Sequence, residues 1–143
     1  MREVIPQQLW IGNSGDAREP TRVLDAGVAA LINLAAEELP PTLPRDILYC
    51  HFPLLDGLGN SPAMLKIAAD TVASLLREEI PTLVYCGAGM SRSVAMAAAA
   101  VACWRGDTIE ETLKMLTDVV PHDVSPAFWG DLKDISDWLA TRQ

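Results

Sequence analysis

The stretch that most constrains this chain is Thr82-Leu83-Val84-Tyr85-Cys86-Gly87-Ala88-Gly89-Met90-Ser91-Arg92-Ser93, together with the apolar, alanine-rich run from Val94 to Trp104 behind it. The first residues are apolar and rich in β-formers and read as a buried strand. The two glycines mark a tight loop, and the Ala/Val/Met run reads as a buried helix. Strand, glycine loop and helix together form an anion cradle. Loop N–H groups turn inward, and the free N–H groups and positive dipole end of the helix point at the same spot. Gly87 and Gly89 read as positions that let the chain turn without a Cβ in the way.

Two reactive residues stand at the ends of this loop. A cradle that favours a phosphate dianion also favours a thiolate, because cysteines at helix N-termini beside a cation ionise more readily than free ones. Cys86 is therefore placed as a nucleophile. Read on its own, it would be a small hydrophobe at a strand end. Arg92 offers a planar fork for two phosphoryl oxygens. A cation in the first turn of a helix has the wrong sign for the dipole, which calls for an anion nearby. Ser93 follows with a hydroxyl within reach of the sulfur.

Cys-x5-Arg-Ser at a strand-to-helix junction resembles the signature of the cysteine-dependent protein phosphatases. Ala88-Gly89-x-Ser91-Arg92-Ser93 is similar to the dual-specificity branch in particular. The resemblance covers most of the chain, from Leu9-Trp10-Ile11-Gly12 to the last helix. It implies that Gly87, Ala88, Gly89, Met90, Ser91 and Arg92 bind phosphate, that Cys86 attacks phosphorus, and that Ser93 eases the departure of sulfur. It also implies chemistry with no metal or other cofactor, since Arg92 and the loop amides carry the charge a metal would neutralise. One position departs from the family pattern: Tyr85 stands where a histidine usually precedes the cysteine and helps to hold the loop. The expectation is a less stabilised thiolate and slower turnover.

The chemistry also requires an acid to protonate the leaving alkoxide or phenoxide, a contribution of typically 10²–10⁴. Asp56 lies in the Pro53–Ser61 loop that follows a strand. As an Asp-Gly pair it reads equally as a turn residue; its place about thirty positions before the cysteine resembles the family's general-acid loop. Asp46 and Asp70 are weaker rivals.

The chain has 143 residues, half of them hydrophobic, and no linker or repeat divides it, so one catalytic domain over 1–143 is expected. A net charge of −8 argues against nucleic acid and anionic membrane surfaces as partners. Cys50, Cys86 and Cys103 make an odd count, and residues 1 to 15 show no secretory leader, which together point to a reducing, cytoplasmic setting. The longest apolar run, Val94 to Trp104, is too short to cross a bilayer. A monomer is expected.

Along the chain, Glu3–Ile5 and Leu9–Ile11 read as an edge hairpin, and Asp16–Asp25 as a helix weakened by Pro20 and closed by Gly27. Val28–Leu34 reads as a strand covered on both faces. Its odd member Asn33 reads as a satisfied hydrogen-bonder at the strand end, with the family suggesting that it braces the active-site loop. Ile47–Phe52 reads as a further strand; in it His51 is a structural hydrogen-bonder and Cys50 a core residue, with a reversible disulfide to Cys86 as the alternative. Ser61-Pro62 caps a long amphipathic helix from Ala63 to Glu79. Asp107-x-x-Glu110 reads as a capping box for a helix to Val119, and Ser125-Pro126 opens a last helix. Trp104, Trp129 and Trp138 read as core, and the C-terminal third, with His122 and Asp123, shows no chemical pattern.

These elements predict an α/β fold: a central, mostly parallel, mixed sheet of four to five strands flanked by helices, with the reactive loop at the carboxyl end of a central strand. The implied activity is hydrolysis of phosphotyrosine and phosphoserine/phosphothreonine in proteins through a cysteinyl-phosphate. The loop positions Gly87, Ala88 and Met90 carry no lysine, whereas phosphoinositide-acting members of the family that the chain resembles tend to place basic residues there; with the overall acidity, the resemblance favours phosphoprotein over lipid or RNA end. Phosphoinositide or nucleotide substrates, a phosphate-binding module without turnover, and a rhodanese-type sulfurtransferase are the alternatives.

Overall fold

The computed structural model describes residues 1–143. The elements in chain order are β1 (Arg2–Ile5), β2 (Leu9–Asn13), α1 (Ser14–Ala17), α2 (Pro20–Asp25), β3 (Ala30–Ala35), β4 (Leu48–Leu54), α3 (Pro62–Arg77), β5 (Thr82–Cys86), α4 (Arg92–Arg105), α5 (Ile109–Thr117), α6 (Pro126–Asp134) and α7 (Ser136–Ala140). The strands form one five-stranded sheet in the order β1-β2-β5-β3-β4. Only β1 runs antiparallel, against β2; β2, β5, β3 and β4 are mutually parallel. This is the mixed, mostly parallel sheet that the sequence predicts. No helix is long and apolar enough to cross a membrane.

Parallel strands end at the same edge of a sheet, so the loops that follow β2, β3, β4 and β5 converge there. β5 is central, which puts Cys86, its last residue, in the middle of that edge. Successive side chains alternate between faces. Val84 and Cys86 join the larger core, with α3, α4 and the C-terminal helices, whereas Leu83 and Tyr85 join a smaller one with Trp10, Ala17, Val23, Val28 and Leu31. Tyr85 and Cys86 therefore project from opposite faces of the sheet.

Behind the loop, α4 is buried from Arg92 to Cys103. Alanine has the highest helix propensity and the smallest side chain that still excludes water, so Ala97–Ala100 let neighbouring helices and the sheet approach closely. Gly106, at φ 81°, ends the helix in the left-handed conformation.

Several boundaries differ from the sequence expectation. The segment 16–25 splits into α1 and α2, with Pro20 opening the second. β4 continues through Pro53 to Leu54, where a loop is expected; a proline is tolerated because β4 is an edge strand. Thr108, not Asp107, caps α5, and its hydroxyl accepts from the Glu111 amide. The last helix divides at Ile135. There Ser136 Oγ donates back to the Lys133 carbonyl, a local bond that competes with the helical ladder. The tryptophans at 104, 129 and 138 pack at the margin of the core.

Candidate active site

The loop from Gly87 to Ser91 is anchored from outside. The Gly87 carbonyl accepts from the Ser14 amide (3.3 Å) and from Ser14 Oγ (3.4 Å), and the Met90 carbonyl accepts from the Asp123 amide (2.8 Å). In a trans peptide the carbonyl and the following N–H point opposite ways. Those outward carbonyls therefore turn the amides of Ala88 and Ser91 towards the interior of the loop. The five amides of residues 87–91 donate to no protein acceptor. A run of N–H groups without a protein acceptor at a helix N-terminus is an anion-binding surface.

Of the two loop glycines, Gly89 has a φ of +76°, and a Cβ there would lie 2.7 Å from the Gly12 carbonyl oxygen. Glycine is required on both counts. Gly87 has no such φ, and its nearest neighbour to a built Cβ is Arg92 Nη2 at 3.5 Å. The expectation that both glycines are needed for the turn is thus met by Gly89 alone.

Cys86 is 2 % exposed, and its Sγ lies 3.3 Å from Ser93 Oγ, the neutral thiol donating. Ser93 is fully buried in the first turn of α4, so its hydroxyl has few other directions in which to point.

Arg92 makes three bonds with two of its three nitrogens. Nη1 donates to the Leu54 carbonyl (2.9 Å) and to Glu37 Oε1 (2.5 Å), and Nη2 donates to Glu37 Oε2 (3.0 Å). A guanidinium has five N–H donors in a fixed plane. Two are left, one on Nε and one on Nη2, and they emerge side by side from the same edge. Nε is buried and makes no hydrogen bond. The free edge has the spacing of a bidentate phosphate or carboxylate contact. Burial alone would weaken the guanidinium's hold on its proton; Glu37, with Cys86 and Asp56 nearby, more than offsets this. Glu37 is in turn held below the usual carboxylate range, chiefly by its hydrogen bonds to Arg92.

Glu37 belongs to no motif in the sequence. It lies in the loop after β3 and reads as one of two solvated acids. The signal available was the cation in the first turn of α4, which calls for an anion, and the acidic pair at the same sheet edge as Cys86. Asn33 positions that loop: its Oδ1 accepts from the Ala35 amide (2.9 Å), and its Nδ2 donates to the Glu38 carbonyl (3.3 Å) and to Tyr49 Oη (3.1 Å). It braces the Glu37 loop, not the loop after Cys86. His51 is structural, with Nε2 2.8 Å from the Ala35 carbonyl.

Asp56 reaches the site from the loop after β4. Its Oδ1 accepts from Ser91 Oγ at 2.6 Å, and Ser91 Oγ accepts from the Ser125 amide at 2.9 Å. The rivals are elsewhere. Asp46 precedes β4, at the opposite edge of the sheet, and Asp70 pairs with Arg142 (3.0 Å) on α3. The C-terminal third does contribute, through the backbone of Asp123 and Ser125, which the sequence pattern did not reveal.

Cys50 lies on β4, which pairs with β3 and not with β5. With neighbouring strands about 4.8 Å apart, β4 and β5 are separated by roughly twice that, beyond the ~7 Å Cα span of a disulfide. All three cysteines are free, and burial pushes the Cys50 thiol up. The structure does not place Cys50 to bridge Cys86.

Tyr85 is 1 % exposed and its hydroxyl makes no hydrogen bond. Burial, with Tyr49 and Glu38 nearby, pushes the phenol well up.

No protein-family model matches the chain. It is 28% identical to dual specificity protein phosphatase Mpk3 of Drosophila melanogaster over 133 residues, which is 88% of this chain but only 31% of that protein. It is 24% identical to dual specificity phosphatase 28 of Homo sapiens over 137 residues, 94% of this chain and 77% of that protein. Among solved structures, human DUSP28 superposes with a TM-score of 0.85 over 98% of each chain, at 24% sequence identity, which establishes a shared fold. The chain is thus similar in sequence to dual specificity phosphatases and shares their fold, and its Cys86-x5-Arg92 loop stands at the end of the central strand.

Proposed function

We propose that this chain is a cysteine-dependent phosphomonoesterase that hydrolyses phosphotyrosine and phosphoserine/phosphothreonine esters in proteins. The observation that carries the reading is a set of unpartnered donors around one thiol: the amides of residues 87–91 and the Nε–Nη2 edge of Arg92. A phosphoryl group presents three oxygens to such a set, and donors already in place need no reorganisation as charge spreads in the transition state.

In the first step Cys86, as the thiolate that the surrounding donors favour, attacks phosphorus in line. The S–P bond forms as the P–O bond breaks, and the leaving oxygen takes a proton from Asp56. In the second step water attacks the phosphorus of the cysteinyl-phosphate and gives its proton to the Asp56 carboxylate. The electrons of the S–P bond return to sulfur, where Ser93 Oγ donates to the emerging anion.

Two features favour a phosphoprotein over an inositol lipid or a nucleotide. Residues 87–91 include no Lys or Arg, and the carboxylates of Glu37 and Glu38 both come within 3.9 Å of the direction in which a Gly87 side chain would project. Polyphosphorylated substrates need further cations beside the loop. A nucleophilic cysteine that must stay reduced fits a reducing compartment such as the cytoplasm.

The test is hydrolysis of p-nitrophenyl phosphate and of phosphotyrosine and phosphothreonine peptides by wild type and Cys86→Ser. Turnover lost in Cys86→Ser, with phosphate affinity kept and a phosphorylated cysteine trapped on rapid acid quench of wild type, supports the reading. Wild type inert towards every ester rejects it in favour of a binding module.

A further inference from the structure

Ser91 is the N-cap of α4, yet its side chain makes no capping bond. Serine at an N-cap ordinarily accepts from a first-turn amide of its own helix. Here that contact is forgone: Ser91 Oγ is directed to Asp56 and to the Ser125 amide instead. Ser91 is 7 % exposed and forms the buried side of a half-buried junction of three segments: the loop after Cys86, the Asp56 loop, and the start of α6.

The polarity of the junction is fixed. A backbone amide can only donate, so Ser125 N–H occupies a lone pair of Ser91 Oγ. The Ser91 hydroxyl hydrogen is thereby free for Asp56 Oδ1, 2.6 Å away. Ser125 cannot swing away, since its own Oγ caps α6 at the Phe128 amide (3.4 Å).

Resting on the assignment of Asp56 as the general acid, we infer that Ser91 is a positioning residue that selects which carboxyl oxygen of Asp56 handles the proton. Oδ1 receives a hydrogen from Ser91 and so cannot carry one facing it. The acidic proton resides on Oδ2, the oxygen free to face the leaving group. When the S–P bond forms and the P–O bond breaks, that proton passes from Oδ2 to the departing oxygen. In the second step Oδ2 takes a proton from the attacking water. Asn60 holds the backbone of this loop at Leu55 and Gly57 (2.8, 2.8 and 3.2 Å), but without the latch the exposed Asp56 side chain is free to rotate.

An acid matters most when the leaving group is poor. The experiment compares phenyl phosphate, a poor leaving group, with p-nitrophenyl phosphate, a good one, in wild type, Ser91→Ala, Ser91→Thr, Asp56→Asn and the Ser91→Ala/Asp56→Asn double variant. Inorganic phosphate inhibition reports whether the loop is intact. Ser91→Ala should keep phosphate affinity and lose roughly tenfold more kcat on phenyl than on p-nitrophenyl phosphate, a fraction of the 10²–10⁴ that an acid contributes. Ser91→Thr, which keeps the hydroxyl, should retain the wild-type ratio. In the Asp56→Asn background the Ser91→Ala change should add no further dependence on leaving group.

Equal losses on both esters, or a further leaving-group penalty in the double variant, overturns the inference while leaving the phosphatase reading intact. An Asp56→Asn variant with no leaving-group penalty overturns it too, because Asp56 is then not the acid. Wild type inactive on both esters removes the parent reading and this one with it.

Discussion

The Glu37 carboxylate caps the outer end of the Arg92 guanidinium with bonds of 2.5 and 3.0 Å, which leaves the Nε–Nη2 edge facing the loop. Glu37 is thus the side chain that sets which edge of Arg92 a ligand meets. Its own side chain is 52% exposed, so the pair is screened and its direct contribution to stability is small. Its effect on geometry is not screened. Glu37→Ala is expected to lower kcat/KM for p-nitrophenyl phosphate about tenfold, the order of effect that a misplaced binding fork produces. Steady-state kinetics checks this, and an unchanged kcat/KM would show that the Leu54 carbonyl alone suffices to orient Arg92.

The same pair has a defined pH signature. Arg92 holds the Glu37 carboxyl below its ordinary value of 4.5. A group with a depressed folded-state pKa contributes stability that is present above the unfolded value and is lost as pH falls through the folded one. The Tm difference between wild type and Glu37→Gln should therefore be constant above about pH 5 and shrink towards zero in more acidic solution. A difference that grows on acidification has the wrong sign and rejects the assignment.

Gly89 and Gly87 should respond oppositely to a methyl group. At Gly89 a Cβ would meet the Gly12 carbonyl oxygen at 2.7 Å and carbon at 2.8 Å, with φ at +76°. The obstacle is strand backbone, which cannot step aside. Gly89→Ala is expected to destabilise the fold by roughly 1–3 kcal/mol and to abolish phosphate binding. Gly87→Ala, whose Cβ makes only ordinary contacts, should fold with a Tm within a few degrees of wild type and still bind phosphate. Thermal melts with and without phosphate distinguish the two.

In the proposed mechanism Ser93 acts after the first step. Its hydroxyl is 3.3 Å from Cys86 Sγ, and a hydrogen bond to a charged group is worth roughly 1.5–3 kcal/mol, or about ten- to a hundredfold. In Ser93→Ala the loss should fall on breakdown of the cysteinyl-phosphate. Rapid mixing with p-nitrophenyl phosphate should then give a burst of nitrophenol followed by a slow steady state. No burst, with both phases slowed together, would place Ser93 in the attack step instead.

The parts of the site legible in the sequence are those written within one local segment. Cys86, Gly89, Arg92 and Ser93 share a strand, loop and helix, so propensity, glycine placement and helix polarity suffice to bring them together. Glu37 and the role of the Ser91 hydroxyl were not legible, because each depends on where a distant loop lands. Glu37 meets a partner 55 positions away and Ser91 meets one 35 positions away. A serine before a helix is by default a cap, and only the tertiary position of Asp56 redirects it. Pro53 misled for a related reason: a proline ends an interior strand but not an edge one, and the edge position of β4 is a property of the whole sheet. Thr108 displaced Asp107 as a cap by one residue, a choice that the spacing of acids alone does not decide.

Tyr85 provides the last test, because it separates adjacency in sequence from adjacency in the site. It precedes Cys86, but β-alternation sends it to the other face of the sheet, among Trp10, Leu31 and Leu83. Its hydroxyl is buried with no partner, and its phenol is pushed well above its ordinary value, chiefly by burial, so it stays neutral through any working pH. A group in that state neither donates to the sulfur nor titrates with activity. Removing the oxygen deletes an unpaired polar atom, a change that is neutral or stabilising by about 1 kcal/mol. Tyr85→Phe should therefore match or exceed wild type in Tm and show a superposable kcat–pH profile up to pH ~10, the ordinary titration range of tyrosine. A lowered Tm, or a profile whose alkaline limb moves, would mean that the hydroxyl has a partner on which the loop depends.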